Sequence, residues 1–216
     1  MYTPGFNAEH NLPTLRDFLR ANPLCALVTS TAQGLVASHI PMVLHESSEE
    51  PGLGILRGHV ARANPQWHAF TAADEALGIF TGPQHYISAS WYPGKQTHGR
   101  EVPTWNYVAV HAYGPLRAIE DPAWLLDHLR TLTDTSEVNA EIPIPWSVDD
   151  APPGFIAKLT GGIVGLELPI TRLEGKWKVS QNRTEADATA VIEGLDRLGT
   201  PQSAVMRDLV HSRRPR

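Results

Sequence analysis

The sequence predicts a mainly β protein of the α+β class, an antiparallel β-barrel with several peripheral helices. Three observations lead to this prediction. Short runs rich in Val, Ile, Leu and aromatic residues recur along the 216 residues and are separated by Gly- and Pro-containing turns. Helical patterns are few and interrupt these runs, whereas a parallel sheet would alternate strands and helices regularly. No Gly-rich phosphate loop of the dinucleotide-binding type is present.

In the first third of the chain, hydrophobic spacing and turn signals define five elements. They are a helix from Pro13 to about Asn22, strands over residues 24–30, 35–44 and 53–60, and a helix that Asn64-Pro65 begins. The second strand contains Pro41, which implies a bulge or an edge position because proline cannot donate to a strand ladder. The acidic segment 46–51 is predicted to be a solvated loop.

The rest of the chain follows the same rules. Strands are predicted over residues 75–81, 85–88 and 102–113, and a helix begins at Asp121-Pro122. Residues 133–154 are rich in proline and acid, which excludes regular structure over much of them. A last hairpin is predicted from residues 161–170 and 173–179, before helices over 185–198 and 202–210.

Length and composition predict one globular domain over residues 1–216, with helical additions from about residue 184. The net charge of −5 argues against a generally nucleic-acid-binding surface. The lone Cys25 excludes an internal disulfide and is interpreted as a buried small hydrophobe. There is no signal peptide, no apolar run near 18 residues and no lipidation motif. We therefore expect a cytoplasmic protein with no membrane segment.

The stretch 82–114 has the densest chemistry in the chain. It holds four of the five tyrosines, two of the six tryptophans and three histidines. Along the strand, Thr104 and Asn106 should share one face, and Trp105 and Tyr107 the other. Aromatic rings interspersed with hydroxyl, amide and ammonium groups suit a planar, heteroaromatic, anionic ligand. The alternative is an aromatic-rich barrel core.

Two further places offer groups for a phosphate. Arg57, His59 and Arg62 lie next to the predicted helix start at Asn64-Pro65, where free amides and the helix dipole favour an anion. A surface arginine beside an ordinary cap explains the same pattern. The segment 180–183, Ser-Gln-Asn-Arg, offers four hydrogen-bonding side chains at a strand end, although a strand-to-helix cap uses the same residue types.

Several blocks of the sequence resemble the signature blocks of the PaiB family. These blocks are Gly58-His-Val-Ala-Arg-Ala-Asn-Pro65, Tyr86-Ile-Ser-Ala-Ser-Trp-Tyr-Pro-Gly-Lys95, Val102-Pro-Thr-Trp-Asn-Tyr107, Val110-His111 and Lys178-Val-Ser-Gln-Asn-Arg183. The family is described as FMN-binding negative transcriptional regulators with a split β-barrel fold. The resemblance covers almost the whole chain, and departures at Ala89 and Gly94 affect only loop detail.

The resemblance implies FMN as cofactor and a homodimer with two sites, because split-barrel flavoproteins typically bind FMN at a subunit interface. The residues expected to contact the cofactor are His39, His59, Arg62, Ser88, Trp91, Tyr92, Lys95, Thr104, Trp105, Asn106, Gln181, Asn182 and Arg183. No catalytic residue is assigned.

Other functions remain open at this point. The ten histidines are scattered without a convincing ligand spacing, so no metal site is predicted, and no GxSxG motif indicates a hydrolase. The protein is either a transcriptional regulator that senses flavin or a flavin-dependent oxidoreductase or flavin reductase. A haem-handling split barrel is a third interpretation. The acidic balance and the lack of a helix-turn-helix pattern argue against direct DNA binding.

Overall fold

The computed structural model describes residues 1–46, 52–70 and 75–214. The helices are α1 (Leu12–Ala21), α2 (Gln66–Ala69), α3 (Gly94–Thr97), α4 (Pro122–Asn139), α5 (Phe155–Thr160), α6 (Glu185–Leu198) and α7 (Pro201–Ser212). The strands are β1 (Ala8–Glu9), β2 (Leu24–Thr31), β3 (Gly34–Pro41), β4 (Val43–His45), β5 (Ile55–Ala61), β6 (Glu75–Ile87), β7 (Thr104–Pro115), β8 (Arg117–Ile119), β9 (Ile163–Pro169) and β10 (Arg172–Lys178). Apart from Glu46, the predicted acidic loop 46–51 lies outside the described residues.

The chain forms two compact units, each assembled from separate stretches. Unit 1 comprises residues 1–11, 81–110 and 174–216, and unit 2 comprises residues 12–80 and 111–173. Strands β6, β7 and β10 each have residues in both units. The single domain predicted over residues 1–216 stays a prediction.

Unit 2 contains two antiparallel arrangements of strands. In one, β2 lies between β6 and β3, and the tight β2-β3 hairpin brings Ser30 opposite Leu35. The turn depends on Gly34, whose φ of 115° is strained for any residue with a side chain. The second arrangement is a sheet with the order β4-β5-β9-β8. Antiparallel pairing with interspersed helices is the fold class that the sequence predicted.

Unit 1 contains strands in the order β1-β10-β7-β6 and the two C-terminal helices. The N-terminal arm supplies β1, in which Ala8 pairs with Lys176. Helix α6 is capped at its start by Thr184, whose side chain accepts from the Asp187 amide, and at its end by Gly199 with a φ of 63°. Such capping signals can be read directly from the sequence. The helix predicted over residues 185–198 has these bounds in the structure, and the helix predicted over residues 202–210 runs from Pro201 to Ser212.

Four details differ from the sequence prediction. The strands predicted over residues 75–81 and 85–88 form one continuous strand, β6. Strands β9 and β10 do not form a hairpin, since β9 pairs with β5 and β8 while β10 pairs with β1. Helix α4 continues to Asn139, well into the segment predicted to be irregular. The predicted strand 35–44 is split at Met42, so Pro41 ends β3, an edge strand of its sheet. Proline at a strand end needs no ladder donor, as expected for an edge position.

Within the described part of the chain, none of the helices combines the length and the apolar character that crossing a membrane requires.

Candidate ligand-binding site

Strand β7 presents an aromatic face to solvent in unit 1. Trp105 is 53% exposed, whereas the neighbouring Asn106 is buried and its amide donates to the Ser180 hydroxyl at 2.9 Å. Tyr86, on β6, is 45% exposed and meets the Trp105 ring edge to face with centroids 6.0 Å apart. The predicted alternation along the strand is therefore present, and it is the Trp105 side that remains accessible. Accessible, neighbouring rings are able to stack on a planar ligand.

Lys178 brings a positive charge to the same strand. Its ammonium group donates to the backbone carbonyl oxygen of Trp105 at 2.6 Å and to the Thr104 hydroxyl, and both acceptors are uncharged. Burial, followed by repulsion from Lys176 and Arg183, lowers the pKa of Lys178. A bound anion would relieve this repulsion, because an opposite charge favours the protonated lysine.

Lys176 lies two residues earlier on β10 and is buried. Its ammonium donates to the Tyr2 carbonyl oxygen at 3.0 Å and lies 5.3 Å from the centre of the Tyr107 ring. This cation is held by uncharged oxygens and ring faces. Together with Lys178 it gives this part of unit 1 a positive potential that suits a phosphate.

The loop after β6 is ordered by local hydrogen bonds. The Ser88 hydroxyl accepts from the Ser90 amide at 3.1 Å and caps the turn Ala89–Trp91. Lys95, at the start of α3, donates to the Ser90 hydroxyl at 3.0 Å and is exposed. Lys95 is thus an available cation on a structured loop.

Trp91 and Tyr92 pack within unit 1, where Tyr92 is buried and Trp91 is half-buried. The Trp91 indole lies against Gly194 of α6. Tyr92 is 1% exposed, and the Arg183 guanidinium lies 4.3 Å from the centre of its ring. Arg183 is itself paired with Glu101 at 3.1 Å. Burial raises the pKa of Tyr92, which keeps its phenol neutral.

The segment after β10 is a tight turn. Ser180 has a φ of 68°, and the Gln181 side chain closes the turn by accepting from the Val179 amide at 2.8 Å and donating to the Trp177 carbonyl. Asn182 is exposed. The capping interpretation of this segment therefore accounts for Gln181, whereas the Asn182 side chain is exposed and accessible to a ligand.

The three remaining predicted contacts, His39, His59 and Arg62, belong to unit 2. The Arg62 guanidinium donates to the carbonyl oxygens of Gly161 at 2.9 Å and Ile163 at 3.2 Å and pairs with Glu120 at 2.5 Å. These bonds tie β5 to β9 and occupy the donors that the proposed phosphate cradle requires.

The two histidines of this group, His39 and His59, do not form a phosphate cradle either. His59 contacts His128, and His39 is exposed on β3. The helix next to Arg62, α2, has only four residues, so its dipole is small. Asn64 does accept from the Gln66 amide at 3.0 Å, as a capping residue does.

The residues expected to contact the cofactor did not include Tyr86, Tyr107, Lys176 and Lys178. Tyr86, Tyr107 and Lys178 stand at the ends of the quoted blocks, so a signal was present in the sequence. Lys176 had no such signal, because only the pairing of β10 with its neighbours places it beside Tyr107.

The residues of unit 1 fit a flavin mononucleotide in their chemistry. Accessible rings at Tyr86 and Trp105 suit its tricyclic ring, and Lys178 and Lys95 suit its phosphate. Among residues 1–46, 52–70 and 75–214, no three His, Cys, Asp or Glu side chains are grouped to hold a metal ion.

Residues 1–172 match the family model described as "Putative FMN-binding domain". The protease synthase and sporulation protein PAI 2 of Bacillus subtilis is 32% identical to this chain, over 99% of this chain and 98% of the relative. An uncharacterised protein of Aspergillus fumigatus is 36% identical, over 93% of this chain and 92% of the relative.

Solved structures resemble the fold at low sequence identity. The flavocytochrome Anf3 of Azotobacter vinelandii matches with a TM-score of 0.60 at 16% identity, covering 80% of this chain and 69% of that chain. The FAD and haem binding protein of Mycobacterium smegmatis matches with a TM-score of 0.55 at 16% identity, covering 80% and 73%. These neighbours are flavin-binding split-barrel proteins, as the fold prediction expected.

Proposed function

The chain belongs to the family of FMN-binding domains, as the resemblance to PaiB predicted, and from that premise we propose that unit 1 binds FMN on its exposed aromatic face. Trp105 and Tyr86 receive the ring system, and Lys178 receives the phosphate. Family membership supports FMN or a related flavin as the cofactor. The location of the site is our proposal.

One observation carries this location. Lys178 is partly buried, its two hydrogen-bond acceptors among the described residues are uncharged, and the charges of Lys176 and Arg183 repel it. A lysine in such a position is poised for an anion. It lies beside Trp105, whose ring is 53% exposed.

The predicted contact residues divide into two groups in this proposal. Thr104, Trp105, Lys95, Ser88 and Asn182 offer accessible or polar groups to the cofactor. Trp91, Tyr92, Asn106, Gln181 and Arg183 shape the site from behind through their packing and hydrogen bonds. We do not extend the proposal to His39, His59 and Arg62, because all three belong to unit 2, where His59 and Arg62 already contact protein groups.

A titration with FMN and with riboflavin tests the site. We expect Lys178→Met to weaken FMN at least tenfold and riboflavin much less, because only FMN carries a phosphate. Trp105→Leu should weaken both ligands. The matched controls are Lys158→Met and Trp146→Leu, which alter an exposed lysine and an exposed tryptophan in unit 2. Equal affinities for all five proteins would refute the location, and failure of the wild type to bind either flavin would refute the function.

Negative regulation of transcription is the role that we propose for the flavin-bound protein. The PaiB type of the family and the sporulation relative in Bacillus subtilis support it. Unit 1 contains ten of the 18 Lys and Arg residues and eight of the 23 Asp and Glu residues. The acidic excess of the chain therefore lies in unit 2. Any direct contact with DNA would therefore use unit 1. Gel-shift assays on upstream DNA, with and without FMN, test this role. We also propose that the protein is cytoplasmic.

Flavin-dependent oxidation and reduction is the second candidate function. A bound flavin supplies hydride and electron chemistry, while the protein orients it. The exposure of Trp105 and Tyr86 favours this candidate, because a face that is open to solvent leaves room for a second reactant. FMN-dependent oxidation of NADH or NADPH would support an oxidoreductase, and its absence in a flavin-loaded protein would favour the regulator.

We also propose a homodimer. In unit 2, strand β3 lies at the edge of its sheet and exposes Leu35 (79%), Ala37 and His39. An exposed edge that carries apolar side chains favours pairing with another chain. We propose that a second copy of this chain pairs with this edge, since the family's split barrels typically bind FMN between subunits.

A further inference from the structure

Helix α4 docks on the β4-β5-β9-β8 sheet of unit 2 through polar and aromatic side chains. Trp124, Asp127 and His128 are spaced three and four residues apart, so they share one face of the helix. The Trp124 ring lies so close to Gly165 of β9 that a Cβ there would come within 2.9 Å of its Cε3 atom. This face of α4 therefore lies directly against the sheet.

The sheet offers polar groups to that face. His59 pairs in register with Gly165, and Arg57 pairs with Glu167, so these side chains project from the side of the sheet where Trp124 lies. His128 is fully buried, and its Nε2 lies 3.1 Å from the Nδ1 of His59. Helix and sheet are thus joined by a contact between two imidazole rings.

This contact depends on protonation. One nitrogen of the pair must donate and the other must accept, so the accepting ring has to be neutral. The Trp124 ring stacks on His128 with centroids 5.3 Å apart, and the Nδ1 of His128 has no hydrogen-bond partner among the described residues. An additional proton on His128 would have to be buried without an acceptor.

The surrounding charges do not favour a proton on the pair. On the sheet, Glu167 of β9 pairs with Arg57 of β5 at 3.1 Å and with Arg117 of β8 at 4.0 Å. On the helix, Asp127 pairs with the same Arg57 at 3.7 Å.

The remaining neighbour on the sheet is His45 of β4, whose buried Nε2 is also without a partner among the described residues. Arg130 of α4 pairs with Asp149 of the turn Val148–Asp150 at 2.6 Å. The carboxylates of Asp127, Glu167 and Asp149 are thus each engaged with an arginine. Burial lowers the pKa of His128 to about 3, with further lowering by His59, His45 and Arg57, and burial also lowers the pKa of His59.

We propose that the His59–His128 contact is a proton-controlled latch, which holds helix α4 on its sheet at neutral pH and releases it in acid. Each histidine binds a proton more readily when α4 is detached, because its pKa then returns to about 6.5. The docked form is therefore fully favoured above that pH, and it loses stability as the pH falls below about 6.5 toward the lower pKa of the docked form.

The size of the effect follows from the same values. At about pH 5, one detached histidine with a pKa of about 6.5 shifts the opening equilibrium by roughly thirtyfold relative to neutral pH. Participation of both rings would increase this factor.

Hydrogen exchange of the full chain, read by mass spectrometry at about pH 7.5 and pH 5 and corrected for intrinsic exchange rates, tests the latch. We expect peptides from α4 to exchange roughly thirtyfold faster at pH 5 under conditions in which β2 and β5 remain protected. His128→Gln, which keeps an amide donor and acceptor but does not titrate, should remove the part of the acid sensitivity of α4 that His128 contributes and leave only the part that comes from His59. His68→Gln, at an exposed position of unit 2, is the matched control and should behave as the wild type.

Unchanged protection of α4 at pH 5, or the same acid sensitivity in His128→Gln, would overturn the proposal. So would loss of protection over the whole of unit 2 in a single step, because the helix would then not open by itself. If His128→Gln does not fold, NMR titration of the wild-type histidine ring protons decides the matter. Two rings that stay neutral until α4 opens support the latch, and titration of all ten rings near pH 6.5 contradicts it.

Discussion

The indole of Trp91 lies against the Cα of Gly194, so a Cβ at position 194 would come within 2.6 Å of the Cε3 atom and 2.8 Å of the Cε2 atom. Trp91 belongs to the turn that precedes Lys95, and Gly194 lies within α6. Glycine normally weakens a helix interior, so its presence here has a packing reason. Helix α6 thereby positions the loop that we propose to border the flavin.

Gly194→Ala should lower the free energy of unfolding by about 1–3 kcal/mol, because the added methyl group forces the indole or the helix to move. Equilibrium unfolding in urea measures this change, and FMN titration shows whether the loop has moved. Glu193→Ala, at the exposed neighbouring position, should change stability by less than about 0.5 kcal/mol. A Gly194→Ala protein more stable than the wild type would mean that helix propensity outweighs the contact with Trp91.

Arg62→Ala should destabilise the protein without affecting FMN affinity. Its guanidinium bonds to Gly161, Ile163 and Glu120, and their loss should cost about 1–2 kcal/mol. Thermal unfolding and FMN titration of the same preparation measure the two effects. Lys158→Ala, at an exposed position, provides the control. A large loss of FMN affinity with unchanged stability would restore Arg62 to the phosphate site.

Cys25 should be unreactive in the native protein. It is fully buried, and burial raises the pKa of its thiol to about 12, so almost no thiolate exists near pH 8. A chromogenic disulfide reagent should detect less than about one tenth of a thiol per chain before unfolding and one thiol in denaturant. Rapid labelling of native protein that remains folded would show that β2 is more open than its burial indicates.

Leu35→Glu should weaken the proposed homodimer, because it places a charge on the exposed edge strand β3. Light scattering coupled to size-exclusion chromatography measures the mass across a dilution series. Gln33→Glu adds the same charge in the adjacent hairpin turn and should leave the mass unchanged. Identical dimers for all three proteins would place the interface elsewhere, and a monomeric wild type would remove the dimer proposal.

Much of the fold could be predicted because local signals determine it. Thr184 and Gly199 mark the ends of α6, and Gly34 marks the β2-β3 turn. The central stretch was recognised because Trp105 and its neighbours are unusually dense in aromatic and polar groups. Alternation along β7 then correctly separated the side of Trp105 from the side of Asn106.

Other parts depend on contacts between residues that are far apart in sequence. The hairpin predicted from β9 and β10 was wrong because β9 pairs with β5, about 110 positions earlier, as in the Arg57 and Glu167 pair. His128 is fully buried. Its partner His59 stands 69 positions away, and no local pattern records that pairing.

The sequence by itself determined the family, the fold class and the segment with the densest ligand chemistry, because composition, turn residues and motif order are properties of the chain alone. Only the tertiary structure decided which of these residues still have free groups. Arg62 and Arg183 have the right charge for a phosphate, but both are paired with carboxylates. Within the described part of the chain, Lys178 bonds to two uncharged acceptors of β7, the Thr104 hydroxyl and the Trp105 carbonyl oxygen, and strand pairing is a long-range property of the fold.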